Sequence, residues 1–343
     1  MIEPGAVWSD TAGRPINAHG GGLLHHRGTY YRYGEVKQGR TYLPKVNKAW
    51  GGTRVLAGGI SCYSSADLGT WKNEGVVLPS VAEEPDHDLA CENVIERPKV
   101  IYNARIEKFV LWFHWDLPDF SAAFSGVAVS DSPTGPFTYV RSFRPNAGKP
   151  PVNAPEREPA AGPGDAFLRD RARGQMARDK NLFVDDDGKA YQFYASEDNQ
   201  TMHVSELSGA YLQPTGKYAR IVVGRSMEAP AVFKRDGKYY RIASDCTGWE
   251  PNTARSAVAE NIFGPWTELG NPCRGEGAEL TFGCQSADVL PVAGAPGRFI
   301  AVFDQWKKWD LEDSRYVWLP LAFDPEGRPL VEWRNRWSLS TQR

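Results

Sequence analysis

No stretch of this 343-residue chain approaches the run of about twenty apolar residues that a membrane-spanning helix needs. There is no basic excess either. Forty Lys and Arg face 42 Asp and Glu, a net charge of -2, so the footprint of a nucleic-acid binder is missing. No segment sustains a 3.6-residue apolar stripe, which argues against a mixed α/β fold. Cysteine is scarce. Cys62, Cys91, Cys246, Cys273 and Cys284 are odd in number and lack metal-type spacing, which argues against a disulfide framework; small buried thiols are expected, with a Cys273–Cys284 bridge left open. The first residues, Met1-Ile2-Glu3-Pro4-Gly5, lack the basic and apolar regions of a signal peptide. As written, the chain is expected in the cytoplasm, or in the periplasm or outside the cell had a signal been removed.

Aromatics and turn-formers, by contrast, are plentiful: 12 Trp, 14 Tyr and 15 Phe stand with 34 Gly and 25 Pro. That mixture suits short strands and tight loops. Most of the rings are expected to fill the core; exposed ones would suit the flat apolar faces of sugars.

A long-period repeat organises the chain. Five times, a polar residue leads a short apolar run, and an aromatic run follows about a dozen residues later. His19 leads Gly22-Leu23-Leu24, Glu96 leads Pro98-Lys99-Val100-Ile101, and Asp179 leads Asn181-Leu182-Phe183-Val184. Glu228 leads Ala229-Pro230-Ala231-Val232-Phe233, and Gln285 leads Ala287-Asp288-Val289-Leu290. Each unit continues through a third strand-like segment to one more aromatic: Trp71, Phe137, Tyr211, Trp266 and Trp333. Turn signals such as Asp185-Asp186-Asp187-Gly188 and Arg235-Asp236-Gly237 separate the strand runs. The reading is therefore all-β: a five-bladed β-propeller with four-stranded antiparallel blades, one domain over residues 1–343. Five units of roughly 69 residues exceed the ~40–50 of lean propeller repeats, so long loops are expected. The main one, about residues 144–177, is rich in Pro and Arg; it is expected either to form part of a rim or lid or to be an idle surface loop.

Inner strands line the central channel of a propeller, so their first residues converge at one end. Glu96, Asp179 and Glu228 would share a pocket, and crowding would raise at least one carboxyl pKa. Glycoside hydrolysis uses such a set, one carboxylic acid protonating the leaving oxygen and one base activating water.

The motifs carry a family resemblance. Arg178-Asp179-Lys180-Asn181-Leu182-Phe183-Val184, and Glu228-Ala229-Pro230-Ala231-Val232-Phe233-Lys234 with Gly237-Lys238-Tyr239-Tyr240, resemble the third- and fourth-blade motifs of glycoside hydrolase family 43. The resemblance implies a five-bladed propeller, hydrolysis with inversion, Glu228 as general acid and Asp179 as the residue that orients and tunes it. The usual first-blade base, an Asp before a Pro, is replaced by Asn17-Ala18-His19-Gly20-Gly21-Gly22. This motif, with Tyr33-Gly34-Glu35, Glu96-Arg97-Pro98-Lys99-Val100, Cys246-Thr247-Gly248-Trp249 and Cys284-Gln285-Ser286, resembles the branch containing exo-β-1,3-galactanases and some furanosidases. The branch implies that Gln285 activates the water. A neutral amide is a poor base, so the alternative is that Gln285 positions the water while Glu96 or Asp179 accepts its proton. Glu35 and Glu96 are expected to bind sugar hydroxyls, with Arg97, Asn199 and Thr247 as weaker candidates. Trp249 is a candidate stacking ring and His19 a candidate for the channel floor.

The resulting expectation is an exo-acting inverting hydrolase releasing terminal galactose-type residues, as an exo-β-1,3-galactanase, β-galactosidase or β-D-galactofuranosidase. An α-L-arabinofuranosidase, or an inactive sugar-binding propeller, is the alternative. No cofactor or metal set is implied, and a structural cation in the channel is left open. The expected partner is an oligo- or polysaccharide, with no nucleic acid or membrane, bound by a monomer.

Overall fold

Short apolar and aromatic runs punctuated by turns fold into five sheets. The computed structural model describes residues 1–49, 51–154 and 165–339. The first sheet holds β1 (His19–His26), β2 (Thr29–Lys37), β3 (Ala57–Ser65) and β4 (Lys72–Leu78). The second holds β5 (Val94–Asn103), β6 (Lys108–Asp116), β7 (Phe124–Ser130) and β8 (Thr138–Phe143). The third holds β9 (Lys180–Val184), β10 (Ala190–Ser196), β11 (Thr201–Leu207) and β12 (Pro214–Ile221). The fourth holds β13 (Met227–Arg235), β14 (Lys238–Asp245), β15 (Arg255–Ala259) and β16 (Thr267–Gly270). The fifth holds β17 (Cys273–Arg274), β18 (Gln285–Pro291), β19 (Phe299–Gln305), β20 (Arg315–Phe323) and β21 (Pro329–Glu332). Within each sheet, successive strands pair antiparallel in chain order; only the two-residue β17, added in parallel to β21, departs from the four-stranded pattern. The innermost strands β1, β5, β9, β13 and β18 touch their neighbours around a closed ring. The protein is a five-bladed β-propeller.

The apolar runs are nearly continuous because both faces of every blade are covered. In β6, Val110 and Trp112 face the third blade, while Leu111 and Phe113 face the first. In β19, Phe299, Ala301 and Phe303 face the fourth blade, while Ile300 and Val302 face the first. The period-2 alternation of strand side chains thus serves two interfaces at once. The five large apolar clusters correspond to the five junctions between blades. Turns follow their sequence signals: Asp236-Gly237, with φ of +49° and +76°, makes the two-residue turn between β13 and β14.

The ring closes between the first and fifth blades. Ile2 and Trp337 exchange backbone hydrogen bonds of 2.8 and 3.0 Å. The Tyr316 hydroxyl accepts from Ala18 N and donates to Ile16 O, both at 3.0 Å. The Arg32 guanidinium lies 3.5 Å over the Tyr316 ring.

One expectation needs correction. Trp71, Phe137, Tyr211 and Trp266 each stand just before the outer strand of their blade, but Trp333 follows β21 and is 37% exposed. Of the long segment 144–177, expected as part of a rim or lid or as an idle loop, residues 155–164 lie outside those described. Its first part covers the outer edge of the third blade, Val152 N donating to Tyr218 O at 2.7 Å and Asn153 Nδ2 to Arg220 O at 2.7 Å. Such cover protects an edge strand from stray pairing. Its helix α1 (Ala166–Asp170) braces the turn after β10, through Arg169 Nη1 to Asp198 Oδ2 at 2.9 Å. The five cysteines are free thiols, so Cys273 and Cys284 are not bridged.

Trp112 is fully buried and its indole N–H crosses from the second blade to Tyr211 O at 2.8 Å. Trp112→Phe is expected to cost about 1–3 kcal/mol by leaving that carbonyl unpaired. The urea midpoint should fall at unchanged m value.

Candidate active site

The five leading polar residues do stand at the inner-strand starts: His19 and Gln285 are first in β1 and β18, Glu228 second in β13, Glu96 third in β5, and Asp179 immediately precedes β9. In three blades the strand opens with the same bulge. Pairing shifts register after His19, Glu96 and Glu228, and the next residue is left-handed, with φ of +60° at Gly20, +54° at Arg97 and +51° at Ala229. Arg97 and Ala229 lack glycine's freedom, a cost of about 1–3 kcal/mol each of the kind met at functional sites. Antiparallel pairing then sets the last residues of each second strand beside the first: Glu35 opposite His19, His114 opposite Glu96, Ser244 opposite Glu228 and Asp304 opposite Gln285.

At this end of the channel lies a cavity of about 380 Å³, the size of a small-molecule site. Glu35, Glu96, Arg97, Asp179, Asn199, Glu228, Trp249 and Gln285 all line it. Arg97 Nε pairs with Asp179 Oδ2 at 3.0 Å, and Asp179 Oδ2 also accepts from Ala229 N at 3.1 Å. Arg97 Nη2 donates to Gln285 Oε1, and Arg97 N donates to Glu35 Oε1 at 2.9 Å. Gln285 Oε1 accepts a second bond from Trp306 Nε1 at 2.9 Å. Gln285 Nε2 donates to Glu228 Oε1 at 2.9 Å and to Ser244 Oγ at 3.0 Å.

Charge is distributed unequally among the carboxyls. Burial, then the neighbouring Asp179, push Glu228 up to about 8, so it carries a proton at neutral pH. Glu35 is also raised, by burial. Burial opposes the charge of Glu96 as well, but Lys37 and then His114 outweigh it and hold Glu96 well below the usual carboxylate range. The Lys37 ammonium lies between them, 2.7 Å from Glu35 Oε2 and 3.4 Å from Glu96 Oε1, with the Trp249 ring centre 4.9 Å away. His114 is raised despite burial by Asp116, 3.0 Å from its Nε2, and by Glu96, 3.6 Å from its Nδ1.

Two candidate site residues, His19 and Thr247, do not line the cavity. His19 is fully buried, stacked on Tyr316 with ring centres 5.1 Å apart. Glu35 and the Trp306 ring close over Gly20 so tightly that a Cβ there would strike the Glu35 carboxylate. Thr247 is exposed and caps its own turn, donating to Glu250 O at 2.6 Å and accepting from Asn252 Nδ2 at 2.7 Å. Among the described residues, no cluster of three or more His, Cys, Asp and Glu is arranged to hold a metal ion.

The profile of glycosyl hydrolases family 43 matches residues 162–275, the stretch carrying Asp179 and Glu228. A family 43 β-1,3-galactosidase solved with galactodeoxynojirimycin is 45% identical over 98% of this chain and 100% of its own, with a TM-score of 0.91. The chain belongs to glycoside hydrolase family 43. An exo-β-1,3-galactanase from Phanerochaete chrysosporium, solved with β-1,3-galactotriose, is 33% identical over 99% of this chain and 69% of its own, with a TM-score of 0.80. One from Clostridium thermocellum is 36% identical over 97% of this chain and 65% of its own, with a TM-score of 0.79. Comparison with curated proteins finds no match.

This family 43 glycoside hydrolase also lines its cavity with residues that the sequence reading missed: Thr53, His114, Asp119, Phe120, Arg178, Cys246 and Gly248. His114 was findable. It ends the run Phe109-Val110-Leu111-Trp112-Phe113 and so must return beside Glu96. Asp116 was findable likewise; its Oδ1 accepts from Leu117, Ala122 and Ala123 amides at 3.0, 2.7 and 2.9 Å, holding the loop that presents Asp119 and Phe120.

Lys37→Met leaves Glu35 and Glu96 without their shared cation. Breaking a buried pair costs about 3–5 kcal/mol. The loss should be largest near neutral pH and shrink on acidification, as the two carboxyls take up protons; urea midpoints at both pH values check it.

Proposed function

We propose that this protein is an exo-acting, inverting hydrolase that removes terminal galactopyranose from β-1,3-linked glycans. The observation that carries the reading is 45% identity, across the whole of both chains, to a β-1,3-galactosidase solved with a galactose-configured iminosugar. A cavity closed by five blades favours a chain end over a mid-chain segment. The galactose ligands of the relatives favour a pyranose over the furanoses.

Glu228 is the general acid. At neutral pH it holds a proton that an ordinary carboxyl would have lost. Asp179 tunes it by repulsion and is itself oriented by Arg97. Gln285, bonded to Glu228, completes the catalytic group. Glu35, Glu96, Arg97, Asn199 and Trp249 face the sugar, the carboxylates accepting from its hydroxyls. The glycosidic C–O bond breaks with its electrons passing to oxygen, which takes the Glu228 proton. Water forms the new bond on the opposite face of the ring, and its proton passes to a carboxylate facing the cavity, Asp179 or Glu96. An acid that works while protonated should lose activity as pH rises through about 8.

Glu228→Gln should lower hydrolysis of β-1,3-galactobiose by ~10²–10⁴-fold. Proton NMR of the first-formed galactose should show the α anomer. Undiminished turnover by the variant would remove Glu228 from the acid role, and a first-formed β anomer would contradict inversion.

A further inference from the structure

The connection after β19 opens on the cavity face, because β19 ends where Gln285 begins β18. Its residues 306–314 are held from beneath and from both sides. Beneath, Trp306 and Leu311 are buried with Val55. Toward the first blade, Lys308 O accepts from the Thr53 hydroxyl, and Leu311 N donates to Thr41 Oγ1 at 2.9 Å. Toward the fourth, Lys308 Nζ pairs with Glu250 Oε1 at 2.9 Å. Trp309 sits between these anchors and yet is 67% exposed, the most of any large apolar side chain among the described residues. A lone exposed apolar residue needs no explanation in itself. The position of this one supplies a reason. Thr53, which bonds Lys308, lines the cavity, and its carbonyl accepts from Trp249 Nε1 of the same wall at 2.8 Å. Trp309 does not line the cavity; it stands on the rim, one residue from a bond to the wall.

We infer that the Trp309 ring is a stacking platform for a sugar of the departing chain, beyond the unit directly attached to the scissile oxygen. This rests on the exo-acting reading. The terminal galactose fills the pocket, so the rest of a β-1,3-linked chain leaves through the mouth and passes over its rim. The axial hydroxyl of galactopyranose leaves one face of the ring largely C–H. An indole covers such a face while the hydroxyls around it stay wet. Polar partners for those hydroxyls stand beside the ring: the Lys308 ammonium, 5.9 Å from its centre, and Glu250, both partly exposed. Because the anchors hold Trp309 in place before the sugar arrives, little ordering is left to oppose binding. The platform adds affinity for longer chains without touching the bond that is cut, so its loss appears in KM rather than kcat.

Chain length is the readout. Wild type, Trp309→Ala and Trp309→Phe would be assayed on β-1,3-galactobiose and β-1,3-galactotetraose. Trp309→Ala should lose about three- to tenfold more kcat/KM on the tetraose than on the biose, through KM. Trp309→Phe, which keeps a ring, should recover most of that difference. An equal loss on both substrates, or none on either, overturns the platform. A calorimetric titration separates this failure from failure of the proposed activity. Galactose and β-1,3-galactotetraose would be titrated into Glu228→Gln with and without Trp309→Ala. The second substitution should weaken the tetraose by about three- to tenfold more than it weakens galactose. If wild type cleaves neither oligosaccharide, the proposed activity is wrong and the titration decides the platform. A selective loss of tetraose affinity then upholds it, and equal affinities, or no binding of the tetraose at all, overturn it.

Discussion

The Arg97 guanidinium, 5% exposed at the mouth of the channel, connects the blades chemically. From the second blade it reaches Asp179 of the third and Gln285 of the fifth, while its backbone amide holds Glu35 of the first. Asp179 in turn accepts from Ala229 beside the acid of the fourth. A buried arginine stays charged and presents a rigid fork of donors, so it fixes the distances between groups that would otherwise repel one another. Burial disfavours its charge, but Asp179 and then Glu35 raise its pKa. The strained left-handed φ of Arg97 is the bend that turns its side chain across the opening.

The propeller makes this convergence geometrically cheap. Apolar side chains alternate along each strand and fill the two junctions beside a blade, which leaves the channel axis to polar groups. Below the site the channel holds Lys99, its ammonium 3.2 Å from Gly20 O and lowered by burial to about 8, with the Asp288 carboxylate bonded to Leu23 N and Asn181 Nδ2. Above it, the same strand starts carry the carboxyls. One acid is kept protonated by burial and a like charge, and another is kept ionised by a lysine and a histidine. That separation lets a single pocket hold both a proton donor and hydroxyl acceptors.

Much of this was legible in the sequence, for identifiable reasons. Polar residues leading apolar runs mark inner-strand starts, because only there does a strand emerge from the packed junction; hence Glu96, Asp179, Glu228 and Gln285 were found. The same rule over-reached at His19, whose fully buried ring stacks on Tyr316 and lies beside the Trp306 ring. It also passed over the hairpin partners. His114 and Ser244 sit opposite inner-strand starts by antiparallel pairing, and Lys37 follows closely on Glu35 at the end of β2, all at the ends of second strands that were read only as apolar runs. The role of segment 144–177 was not legible, since Pro and Arg content says nothing about which edge a loop covers.

One guanidinium organises the site, through its fork of donors rather than its charge alone. Arg97→Lys keeps the charge and loses the fork. With native secondary structure and elution confirmed, kcat/KM on β-1,3-galactobiose should fall by about 10²-fold or more, since misplacement of about 1 Å is enough to do so. A value within a few-fold of wild type would contradict the account.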